Sequence, residues 1–340
     1  MTPAKQLSLA LMGGAGALYG ALIADKSAPL YIACMNVYDM QSDKTMSLRA
    51  FMIRLLREGL AAKDNHITIG NNVYIVNPWI SSDTPNVVIP AEVISKFASV
   101  LGDNILSPYS ADATQALKSA FPPQWITIRD YGFAHPDLVP FINEDPMLVM
   151  SLIDGLGTRW LVTADGGAYV NTNIKPKAGM HIKAVFANTT TTTNWACFGS
   201  RVSGNTKCLM VQLLTQPSDK RVFYGFGSTT GSIFNKYSAG DIVEAEIIDS
   251  RHEMILNGTS YNIASIVDSD LEMTINRVNT SGTHANGAPS KWQYLEIEGV
   301  AKFVPFVSAT RNGMLDIVSA TFHQNLGTSD FTISEQPANS

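Results

Sequence analysis

From about residue 158 onward the chain is written in strands. Ile182, Ala184 and Phe186 alternate with His181, Lys183 and Val185, and Val243, Ala245 and Ile247 alternate with Glu244 and Glu246. Leu271, Met273 and Ile275 alternate in the same way with Glu272, Thr274 and Asn276. A period of two puts the apolar set on one face of an extended backbone, so each segment reads as a half-buried strand. Asn257-Gly258 stands between Met254-Ile255-Leu256 and Tyr261-Asn262-Ile263, the dipeptide that a tight hairpin turn favours. Thr189 to Thr193 is a polar β-branched run and reads as a loop or an edge. Many short strands with no helical stripe between them predict two antiparallel sheets stacked on their apolar faces.

The first part of the chain is mixed. Leu48, Phe51, Met52, Leu55, Leu56 and Leu60 form one helical stripe, with Arg49, Arg54 and Arg57 off it. Residues 66–76 read as a hairpin around Gly70-Asn71-Asn72. Pro90 opens a helix that ends near Gly102, and residues 110–120 form another, stopped by Pro122-Pro123. Pro136, Pro140 and Pro146, with acidic residues between them, read as a linker. The predicted organisation is therefore a small α+β domain over 1–130, a linker over 131–157, an all-β sandwich over 158–333 and a tail over 334–340.

Residues 7–24 carry no charge, but Gly13, Gly14, Gly16 and Gly20 leave them weakly apolar, which disfavours a membrane span. Gly16 and Gly20, one helical turn apart, let two backbones approach closely. A helix packed against a partner, and hence an oligomerisation role for Gly16 and Gly20, is the preferred reading. An export signal stays open as the second.

Composition excludes several classes. Charged residues are only 16% of 340 and the net charge is -5, so there is no overall footprint for nucleic acid. Cys34, Cys197 and Cys208 are too few for a disulfide scaffold, lack metal spacing and read as buried thiols. The six histidines form no H-x-H or H-x-x-x-H pair, and no Asp-rich loop has the calcium pattern. Gly13-Gly14-Ala15-Gly16 lacks the Gly-Lys-Ser/Thr of a phosphate loop, and there is no G-x-S-x-G. Glu244 and Glu246 share a strand face, as do Glu296 and Glu298, but Asp249 falls on the other side; a solvated outer face explains them. No catalytic residue, metal or cofactor is assigned. The Asn-x-Ser/Thr triplets at Asn188, Asn257 and Asn279 read as chance matches in an Asn- and Thr-rich chain. Glycan binding is the softer option, since sugar faces stack on aromatic rings. Trp195, Tyr224 and Tyr261 are the aromatic candidates, with Arg201 to orient hydroxyls.

A family resemblance adds to this. The segment from Asp165-Gly166-Gly167 through Tyr169, Asn171, Thr172 and Ile174 resembles the opening of concanavalin A-like, laminin G-like jelly rolls of gut Bacteroidota and their phages. The close is similar too: Phe303-Val304-Pro305, then Asn312-Gly313-Met314-Leu315-Asp316, then Phe322, Asn325, Gly327 and Phe331. Phe198-Gly199-Ser200-Arg201, Tyr224-Gly225-Phe226-Gly227 and Leu256-Asn257-Gly258 agree between them. Asn171 and Asn173 stand where the family has Asp and Gly, and Phe306 where it has Ala. The resemblance covers about half the chain and implies a jelly roll. Read physically, Gly166 and Gly313 suit turns of positive φ, and Asp316 suits a turn cap. A jelly roll behind an unrelated N-terminal domain looks like a non-enzymatic phage virion protein: a head fibre, decoration or tail fibre component. Its implied partners are other virion proteins, further copies of itself and a host glycan. One alternative is a secreted or surface glycan-binding protein of a gut bacterium, with residues 1–24 as export signal. Another is a glycoside hydrolase acting through Glu246.

Overall fold

The structure is a computed structural model and describes residues 15–16, 19–20, 23, 26, 29–40, 46–61, 66–69, 72–75, 107–202, 206–285 and 287–338. The chain divides into two compact units, Met1–Met147 and Leu148–Ser340.

Among its described residues the first unit has helices and one antiparallel strand pair. Helices α1 (Pro29–Met40) and α2 (Leu48–Ala61) precede strands β1 (His66–Ile69) and β2 (Asn72–Ile75), which pair antiparallel with Ile69 opposite Asn72. On α2 the predicted stripe buries Phe51, Met52 and Leu56 and leaves Arg49 and Arg54 in solvent. Helix α3 (Ala111–Ala120) begins where the Ser110 hydroxyl accepts the Ala113 N–H at 3.2 Å, an N-cap. The helix expected from Pro90, and most of residues 7–24, lie outside the described residues.

The span 131–157 differs from an open linker. The break between the units falls inside it, but its first part is built. Helix α4 (Trp125–Ala134) runs into it, followed by a 3-10 turn at Pro136–Leu138 and helix α5 (Val139–Glu144). Leu138, Val139, Phe141 and Ile142 are buried. The prolines that suggested a break instead open these short helices, where the missing N–H costs nothing.

The second unit is a predominantly antiparallel jelly-roll sandwich. The larger sheet runs β12 (Thr259–Asn262), β11 (Glu253–Leu256), β10 (Val243–Ile248), β5 (His181–Asn188), β16 (Ser290–Ile297), β17 (Ala301–Val307), β18 (Asn312–Asp316) and β19 (Thr321–Gln324). Strand β3 (Gly157–Thr163) joins the first half of β16, and β20 (Thr332–Pro337) returns alongside β3, with Pro337 opposite Gly157. The smaller sheet runs β15 (Thr283–Ala285), β14 (Val278–Thr280), β6 (Ala196–Arg201), β7 (Cys208–Gln216), β8 (Asp219–Gly227) and β9 (Thr229–Phe234). Short strands β4 (Val170–Asn171) and β13 (Thr274–Ile275) pair beside β6.

Between the sheets, Phe186 stacks on Trp292 at 4.7 Å, and Phe198 from the opposite sheet meets both edge-on. The Trp292 indole N–H donates to Ser290 Oγ, Ser290 donates to Asn276, and Asn276 donates to the Ala168 carbonyl, so the buried polar groups here are satisfied.

Turn chemistry follows the sequence in part. Asn257 (φ +46°) and Gly258 (φ +79°) make the expected hairpin between β11 and β12. Gly166 has φ +74°. Gly313 does not take a left-handed turn: it lies within β18, where the His323 carbonyl leaves no room for a Cβ. Asp316 caps a turn, accepting the N–H groups of Lys302 and Val318 and the Ser319 hydroxyl. Of the alternating run 271–276 only Thr274–Ile275 is paired as strand, because the Ser269 hydroxyl takes the Leu271 N–H into a turn.

Candidate functional site

Alternation along β6, β7 and β8 divides the smaller sheet into two faces. Ala196, Phe198, Leu209, Val211, Leu213, Val222 and Phe226 enter the main core. Cys197, Cys208 and Met210 point the other way and form a separate apolar cluster with Val278, flanked by Phe223. Strand register arranges this outer face in rows. Cys197, Gln212, Phe223 and Ser232 stand side by side, and Leu214, Arg221 and Phe234 make the next row. Trp195, immediately before β6, completes that second row.

The second row is an aromatic rim. The Arg221 guanidinium lies over the Trp195 ring at 5.2 Å, and Phe223 meets Trp195 edge-on at 6.3 Å. Phe234 at the sheet edge is 59% exposed, a large apolar side chain in water. Beneath the rim Gln212 is 3% exposed, with its side chain against the Cys197 thiol. Arg221 Nε has no hydrogen-bond partner among the described residues, although another guanidinium nitrogen reaches Asp219 at 3.2 Å. Gln212 and Arg221 are diagonal neighbours across β7 and β8, within about 8 Å. The face thus joins stacking surface to a part-exposed guanidinium.

The predicted residues fall out as follows. Trp195 lies in the rim. Arg201 is on the same face at the far end of β6, about 20 Å away at about 3.3 Å per residue, and its Nε donates to Thr280 Oγ1. Tyr224 points inward, packs against the main core and lies over Gly231 across the strand pair. Tyr261, on β12 of the other sheet, is also packed against that core. Arg221, Phe223 and Phe234 join Trp195 in the rim, and residue type alone does not single them out. The signal was parity: Tyr224 shares its face with Val222 and Phe226, so the odd-numbered neighbours Arg221 and Phe223 had to face out. Gly16 and Gly20 are helical, and a Cβ at either would meet nothing within 4 Å among the described residues.

The outer face of the larger sheet carries the carboxylates. Glu246, Lys183, Glu296 and Lys302 form one row across four strands, with Glu246–Lys183 at 3.6 Å and Glu296–Lys302 at 3.5 Å. His181 Nε2 lies 2.7 Å from Glu246, and its Nδ1 contacts Glu298. The His181 hydrogen bond, and then the Lys183 charge, hold the Glu246 carboxyl below its ordinary range. It is thus kept ionised rather than poised as an acid.

Burial pushes the Cys197 and Cys208 thiols up, away from the nucleophilic thiolate. None of the three cysteines forms a disulfide. Asn188 is fully buried and donates to the Asn194 and Leu213 carbonyls, so that triplet is inaccessible to glycosylation. Two concavities are poorer sites. One of about 120 Å³ beside Arg159 and Tyr294 is below the roughly 300 Å³ usual for a ligand pocket. A shallow one of about 390 Å³ near Lys207 and Asp270 has no aromatic lining. Among the described residues no three His, Cys, Asp or Glu side chains converge as metal ligands, and no helix is long and apolar enough to cross a membrane.

No protein-family model and no curated protein matches the chain. Among solved structures, a Bacteroides ovatus protein for which carbohydrate binding is proposed aligns at 10% identity and TM-score 0.38, over 54% of this chain and 62% of its own. Domains LG4-5 of the mouse laminin α1 chain align at 10% identity and TM-score 0.32, over 54% of this chain and 47% of theirs. The chain therefore covers less than two thirds of either. On its own geometry it is a helical unit followed by an antiparallel jelly-roll sandwich whose smaller sheet presents an aromatic rim to solvent.

Proposed function

We propose that the sandwich is a saccharide-binding module and that the outer face of its smaller sheet is the binding surface. The observation that carries this is the rim of Trp195, Phe223 and Phe234 with Arg221 laid across Trp195. A pyranose offers an apolar C–H face to such rings and hydroxyl acceptors to the Arg221 guanidinium. The test is titration of the full chain against a panel of bacterial surface and host glycans. Trp195→Ala should weaken binding of any hit about tenfold, equivalent to about 1.4 kcal/mol, while circular dichroism stays that of the parent. A panel without a binder, or a hit indifferent to Trp195→Ala and Phe234→Ala, would remove this reading.

The wider proposal places the module on a phage particle, with the unit before it as the attachment piece. It is supported by the resemblance and by the order of the two units along the chain. Mass spectrometry of purified particles from a host that carries the gene should find the chain at structural copy number. Its presence only in culture supernatant would favour the secreted alternative.

A further inference from the structure

We propose that β9 is a self-pairing edge: two copies of the chain join β9 to β9, antiparallel about a two-fold axis at Ser232, to extend the smaller sheet across both molecules. Among the described residues strand β9 ends that sheet and pairs only with β8. The Asn235 N–H donates to the Lys220 carbonyl at 2.7 Å, which fixes the alternation. The bonded pairs are then 222–233, 224–231 and 226–229, and the N–H and C=O groups of Thr230, Ser232 and Phe234 point away from the sheet.

Exposed edges are normally blunted by charge, proline, bulges or shortness. The other edges follow that rule. Strand β20 carries Glu335 and Pro337, β12 and β19 have four residues each, and β15 has three. Strand β9 reads Thr-Thr-Gly-Ser-Ile-Phe, six residues without charge or proline, with Thr229, Thr230 and Phe234 exposed.

The occupant follows from complementarity. Pairing about Ser232 sets Ser232 against itself, Phe234 against Thr230 and Lys236 against Ser228, so no like charges face each other. Each outward residue meets another outward residue, and each such pair exchanges two main-chain hydrogen bonds. A two-fold pairing consumes both free edges and closes the assembly. Phe234 of each copy gains a neighbour on the outer face, which brings the two aromatic rims onto one continuous surface. The inference stands apart from saccharide binding, which a single copy can perform.

The experiment is light scattering with sedimentation on the full chain, from low micromolar to near-millimolar concentration. The mass should rise from one chain to two and stop there. Ser232→Pro removes an outward N–H and leaves the β8–β9 bonds in place; Ser232→Lys sets two positive charges face to face. Both should stay monomeric with an unchanged circular dichroism spectrum. Should either fail to fold, Ser232→Cys gives the answer. Paired residues of this kind have Cα atoms about 5.5 Å apart, so a short thiol crosslinker should trap a dimer, the native cysteines being buried. A chain monomeric throughout, a dimer that survives both Ser232 variants (as one held through Gly16 and Gly20 would), open-ended polymers, or no crosslink at Ser232→Cys would each overturn the proposal.

Discussion

Gly166 bears two constraints at once. Its φ of +74° suits glycine, and the backbone of Gly287 and Ala288 occupies the space a Cβ would need. Gly240 has φ +90° but open space around it. Gly166→Ala should therefore cost about 3 kcal/mol or more, combining strain with overpacking, and Gly240→Ala about 1 kcal/mol. Calorimetry separates them, at roughly 3 °C of midpoint per kcal/mol for a unit of this size. Equal shifts would mean that the Gly287 loop simply moves aside.

The element scale is where the sequence was most legible. Period-two runs marked β5 and β10, the Asn257-Gly258 pair marked the β11–β12 turn, and the α2 stripe was placed to within a residue. Each is a local signal whose apolar face also points to the core, so local and tertiary preferences agree. The candidate site was half legible. Residue type points to Trp195 and Tyr224 alike; the parity of β8 turns Tyr224 inward and Phe223 outward, and Phe234 enters only because β9 ends a sheet. Edge position is set by long-range pairing, which no local window contains. Residues 131–157 are ambiguous for a related reason: the break between the units does fall there, but proline both breaks a helix and opens one. The carboxylate row makes its own prediction. Glu246 is held below its ordinary value of 4.5 by His181 and Lys183. A carboxyl depressed in the fold adds stability that is present above the unfolded value and lost as pH falls through the folded one. The melting midpoint should drop on acidification below about pH 4.5, and Glu246→Gln should flatten part of that drop. An identical acid limb in the variant would show the row to be energetically idle.

At the scale of the whole molecule, the aromatic centre holds the sandwich together. Trp292 is fully buried against Phe186 and Phe198 from two sheets, so Trp292→Ala should cost about 3–5 kcal/mol in chemical denaturation, more than any rim substitution. Loss comparable to Trp195→Ala would mean that the two layers repack readily. The return of β20 beside β3 has a different consequence. Pro337 stands opposite Gly157, and the Ala338 N–H donates to the Leu156 carbonyl at 3.0 Å. Entry and exit of the module are thus side by side, like the two leads of a plug. A host protein could take it up as a cassette within one of its own loops without parting the ends of that loop, and the chain could be rejoined there and reopened at Asn257-Gly258 with its order permuted and its layers kept.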